Sequence, residues 1–101
     1  MNISTASSDD KKTFTISIDG SFDFNSLNLF RQAYTDEVAK SAKIVIDMRN
    51  TATIDSSALG MLLNMQRHLN KADGEISILN CNDVVAKIFS ITHFGKKFSI
   101  S

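Results

Sequence analysis

The chain has 101 residues with 11 Lys plus Arg against 11 Asp plus Glu, which sets one domain and one core, burying roughly 60 to 65% of the unfolded surface. Balanced charge, with no basic run or aromatic ladder, argues against nucleic acid or an anionic membrane as partner. The single Cys81 has no second cysteine to pair with and fits a reducing compartment, and no apolar run approaches the about 20 residues of a membrane span, so a soluble cytoplasmic protein without a leader is expected.

In chain order, Ile3 allows a short edge strand, and Asp9-Asp10-Lys11-Lys12 reads as a turn. Thr13 to Asp19 alternates, with Phe14, Ile16 and Ile18 on one face, as a half-buried strand does. Gly20 to Asn25 breaks the pattern. Asn25 or Ser26 then caps a helix to about Lys40, whose inward stripe is Leu27, Phe30, Tyr34 and Val38. Lys43 to Met48, with Ile44-Val45-Ile46, has the length and branching of a buried strand. After a short polar loop the period changes to 3.6. Leu59, Leu62, Leu63, Gln66 and Leu69 recur as the inward face of a second long helix that closes near Asn70 to Gly74. Glu75 to Leu79 alternates as a strand. A short helix carries Val84, Val85, Ile88 and Phe89, and a last strand falls around Phe98 to Ile100. This alternation indicates one α/β domain over residues 1–101, a four- to five-stranded mixed sheet with helices packed mainly on one face.

Asp55 is the N-cap expected for the second long helix, which puts Ser56 and Ser57 in its first turn, where unpaired N–H groups and the helix dipole favour negative charge. A phosphate on Ser56 would be tolerated there. Around it, Gly20-Ser21-Phe22-Asp23, Ile54 to Gly60 and Val84 to Phe89 line up with three landmarks of one family, and nearly the whole chain resembles the STAS domain of bacterial anti-sigma factor antagonists. Ser21 stands where that family usually has glutamate, and Ala58 where it usually has glycine.

The resemblance implies a phosphorylation-gated binding module of a partner-switching system. Ser56 would be the residue phosphorylated by an anti-sigma factor or related serine kinase. A separate metal-dependent serine phosphatase would restore the binding form. The variant also looks like stand-alone antagonists used in biofilm and surface-behaviour switches. Asp23 then either pins the turn after Gly20 or touches the partner, and Asp55 orients the Ser56 hydroxyl beside its neighbour Ser57. The alternative is an unphosphorylated structural STAS subunit of a transporter, including lipid-transport complexes.

Two readings rest on the residues alone. Ala58, Met61, Met65 and His68 form a stripe beside the inward face with no charge between Asp55 and Arg67, so Met61 and Met65 are either a partner-facing surface or core under a neighbouring helix. Gly60 costs the helix about 0.5 to 1 kcal/mol relative to alanine, which either close packing or a partner's approach should explain, with close packing favoured. No catalytic constellation is present. Ser56 and His68 lie about 18 Å apart along one helix, and there is no nucleophile elbow, phosphate-binding glycine loop or metal-ligand cluster, so neither enzyme activity nor a cofactor is expected.

Overall fold

A computed structural model describes residues 2–35 and 37–101, the side chains of residues 2, 37 and 38 excepted. The alternating run from Thr13 forms β2 (Thr13–Phe22), the long strand on which the sheet is built. β1 (Asn2–Ser7) pairs antiparallel to it as one edge. On its other side β2 pairs parallel with β3 (Lys43–Asp47) along its first half and with β4 (Thr51–Ile54) at its end. β5 (Ile76–Leu79) and β6 (Ser99–Ile100) continue parallel beyond β3, giving the order β1-β2-β3-β5-β6. The sheet is mixed as expected but has six strands among the described residues, because Thr51 to Ile54 is a strand rather than loop.

Period-2 alternation decides which face is covered. Ile16, Ile18, Ile44, Ile46, Ile76 and Ile78 are fully buried, while Thr15, Ser17, Val45 and Ser77 on the other face remain partly exposed. α1 (Leu27–Tyr34), α3 (Ser56–His68) and α4 (Asp83–Ile91) cover the buried face. α1 lies between the parallel neighbours β2 and β3 in the chain and α4 between β5 and β6, while α3 runs from β4 to β5 and packs against α1. Among the described residues no helix is long and apolar enough to cross a membrane.

Three local departures from the sequence pattern have physical causes. β2 does not stop at Asp19: Gly20, at φ 82°, takes a conformation open to glycine, donates its N–H to the Asn50 carbonyl at 2.9 Å, and carries the strand through a bulge to Phe22. The first helix is two. Thr35 Oγ1 donates to the Gln32 carbonyl at 3.0 Å, competing with helix continuation, and α2 (Glu37–Ser41) follows separately. Phe30 and Tyr34 are buried as expected and Leu27 partly so; the side chain of Val38 lies outside the described residues. α3 ends not at a glycine but at Asn70 (φ 54°). The Asn70 N–H bonds the Arg67 carbonyl at 3.1 Å and the Lys71 N–H bonds the Gln66 carbonyl at 3.0 Å, closing the last turn.

Cys81 is half-buried, and desolvation pushes its thiol up from the ordinary value. His93 is an exposed loop residue at φ 59°, heading a short 3-10 turn.

Candidate functional site

β4 and α3 meet where the parallel strands end, and Asp55 is the hinge residue between them. Its backbone is extended, its N–H bonds the Phe22 carbonyl at 3.3 Å, and its Oδ1 accepts the Ala58 N–H at 3.0 Å. It is therefore the N-cap, and Ser56 is the first helical residue. Ser56 is exposed, and among the described residues no hydrogen bond holds its hydroxyl. Ser57, about 100° further round the helix, is partly covered.

Asp23 lies beside this junction with a structural task of its own. It caps the 3-10 turn Phe24–Ser26, accepting the Asn25 N–H at 2.9 Å, while Ser26 Oγ accepts the Asp23 N–H at 3.1 Å. This reciprocal box fixes the turn after β2, as the bland reading of Asp23 requires. Phe24, directly after it, is 67% exposed.

Asn82 completes the site. Its Oδ1 accepts the Val85 N–H at 2.8 Å, capping α4, and its Nδ2 donates to the carbonyls of Thr51 and Ala52 at 3.0 and 3.1 Å. The side β4 turns away from β2 is thus held by one amide. An asparagine just before Asp83-Val84-Val85 was the available N-cap signal.

The helix face differs from expectation. Ala58, Leu62 and Met65 are fully buried, Met61 is 5% exposed, and Leu59 and Leu63 are only partly covered. Relative to the Leu59-Leu62-Leu63-Gln66-Leu69 stripe, the helix is rolled by about 70°. Ala58, Met61 and Met65 are core under α3 and cannot form a partner surface, which corrects that reading. The exposed crest is instead Ser56, Gly60, Asn64 and Arg67.

Gly60 sits on this crest. A Cβ built there meets nothing within 4 Å, so close packing inside the chain does not account for it. Gly60→Ala is accordingly expected to raise stability by about 0.5 to 1 kcal/mol, read from urea denaturation. A loss of stability would show that the fold needs the glycine after all.

A single α/β domain with a capped, exposed serine at the head of its central helix defines a class. The STAS domain family profile matches residues 4–101, and the chain belongs to that family. A STAS-domain containing protein of Pseudomonas aeruginosa (strain UCBPP-PA14) is 41% identical over 101 residues, covering all of both chains. The anti-sigma-B factor antagonist of Staphylococcus aureus (strain NCTC 8325 / PS 47) is 26% identical over 93 residues, covering 91% of this chain and 84% of its own. Among solved structures, the Bacillus cell fate determinant SpoIIAA in its phosphorylated form shares the fold with TM-score 0.67 at 18% identity, covering 99% of this chain and 91% of that one.

Proposed function

We propose that this protein is the phosphorylation-gated binding component of a partner switch. The unphosphorylated form docks on an anti-sigma factor or related serine kinase through the pole formed by Asp23, Asp55, Ser56 and Ser57, and sequesters it. The kinase transfers a phosphoryl group to Ser56 and the complex dissociates. A serine phosphatase then restores the binding form. The chain contributes an acceptor and a surface, and catalyses nothing itself.

The observation that carries this reading is the placement of Ser56: exposed, at the first position of α3, next to a cap that uses the Asp55 carboxylate. A hydroxyl there can be reached by a partner's active site without opening the fold. The Staphylococcus aureus relative is an anti-sigma-B factor antagonist and SpoIIAA occurs in a phosphorylated form, which supports the same role here.

The test is incubation with candidate serine kinases of the ATPase type from the same organism, and ATP, followed by phosphopeptide mapping. Label on Ser56 alone is expected, since Ser57 points to a different side of the helix and is partly covered. Label on Ser57 in the folded protein would sink the assignment. Absence of any transfer, from every such kinase of that organism, would favour the structural-subunit role instead.

A further inference from the structure

Of the seven phenylalanines only Phe24 is left in water: it is 67% exposed, while none of the others exceeds 7%. Two residues earlier Phe22 is fully buried, its ring centroid 5.0 Å from that of Phe30. Had the extended chain continued, its period of two would have put Phe24 on the same covered face. The turn after β2 prevents this and reverses the usual partition. Ser26 takes the interior place and is fully buried, while the phenyl ring faces solvent.

Two hydrogen-bonding arms hold that inversion. Asp23 Oδ1 accepts the Asn25 N–H at 2.9 Å on the outer side. On the inner side Ser26 Oγ accepts the Asp23 N–H at 3.1 Å and donates to the Ser21 carbonyl at 3.4 Å. Phe24 sits between the arms, so its backbone is fixed before anything binds. Only the two torsions of the side chain remain to be ordered when the ring is covered, which keeps the entropic cost of that contact low.

Its place in the fold says what covers it. β2 and β4 run parallel, Phe22 is paired with Ile54, and the Asp55 N–H bonds the Phe22 carbonyl at 3.3 Å. Phe24 and Ser56 therefore each lie two residues beyond one shared rung, at the same end of the sheet, and the turn Phe24–Ser26 packs against α3. A protein that seats Ser56 in an active site covers about 600 to 800 Å² of this surface, a disc reaching roughly 14 to 16 Å from its centre. Phe24 falls under that footprint. Covering it removes most of an aromatic side chain from water, the kind of contact that dominates protein interfaces.

We propose that Phe24 is the anchor by which the serine kinase grips this protein, its ring entering an apolar pocket on the kinase beside the phosphoryl-transfer cleft. This deepens the partner-switch reading and rests on it for the identity of the partner. Phe24 takes no part in the transfer itself. Its contact is made equally before and during the reaction, so it acts on KM and not on kcat.

The test takes candidate serine kinases of the ATPase type from the same organism, and reads binding with a non-hydrolysable ATP analogue and Ser56 phosphorylation with ATP. Phe24→Ala should weaken binding and raise KM by roughly tenfold or more, at unchanged kcat and unchanged melting temperature. Phe24→Leu should recover most of the loss. Ile91→Ala removes a side chain of similar exposure, 66%, at the far end of α4, and should change neither binding nor KM. Equal binding by Phe24→Ala and wild type, a fall in kcat at constant KM, a lowered melting temperature, or an equal loss in Ile91→Ala would each overturn the anchor. The anchor and the switch fail separately. A wild type whose binding depends on Phe24 but which accepts no phosphate would keep the anchor and refute the switch, whereas labelling of Ser56 at the wild-type KM in Phe24→Ala would keep the switch and refute the anchor. No binding to any such kinase would refute both.

Discussion

Ser56→Asp is expected to melt like the wild type and to lose its partner, while Ser56→Ala binds without regulation. The phosphoryl group adds roughly −1.5 to −2 charge at pH 7 to the first turn of α3. There the helix dipole is favourable and the neighbouring Asp55 carboxylate unfavourable, each by about 1 kcal/mol. Those terms nearly cancel in the isolated domain, and neither threatens a fold stabilised by about 5 to 15 kcal/mol. Ser56 is exposed, so the charge stays hydrated in the free protein. A partner closing over it must remove that water, a cost of about 1 to 3 kcal/mol even for a partly compensated group, or roughly tenfold to over a hundredfold in affinity. Circular dichroism and a thermal melt, beside a binding isotherm, check both halves. An Asp variant that unfolds, or that binds as tightly as wild type, refutes the account.

Met65→Lys should do the opposite and destroy the fold. Met65 is fully buried between α3 and the sheet, and Ala58, Met61 and Leu62 share that face. A lysine there leaves an ammonium with no water and no carboxylate, and a loss of several kcal/mol is expected, read as a large drop in the denaturant midpoint. Partner binding should fall only with the folded fraction. Met65→Leu, which conserves volume, should cost less than about 1.5 kcal/mol. A lysine variant with a normal midpoint and weakened binding would restore the interface reading that the burial of this side chain removes.

The methionine face shows where sequence periodicity stops being informative. Both Leu59-Leu62-Leu63-Gln66-Leu69 and Ala58-Met61-Leu62-Met65-Leu69 satisfy a 3.6 repeat, so the helix was legible and its roll was not. Uncharged residues from Ser56 to Gln66 left no polar face to fix the phase, and leucine was weighted above alanine and methionine. β4 was missed for a different reason. Thr51-Ala52-Thr53-Ile54 is short and polar, and its ladder comes from the far end of β2, a pairing that no local pattern encodes. The cap at the head of α3 was readable, because an N-cap aspartate followed by serine is a local signal that the fold preserves. Asn82 was readable as a cap of α4 but not as a brace on β4, since its two bonds to Thr51 and Ala52 bridge about thirty residues of chain.

β4 is secured on one side by three paired residues of β2 and by the Thr51 hydroxyl, which donates to the Ile18 carbonyl at 2.7 Å, and on the other by the Asn82 side chain. Ladders of that kind open locally far more often than the domain unfolds, and they form a separate, low-energy unit of hydrogen exchange. The strand that leads into Asp55 and Ser56 therefore has a shorter ladder to β2 than β3 beside it. The amides of Thr53 and Ile54 are therefore expected to exchange faster than those of Ile44 and Ile46, while burial of Thr51 and Ile54 keeps the strand seated and Ser56 presented at the surface.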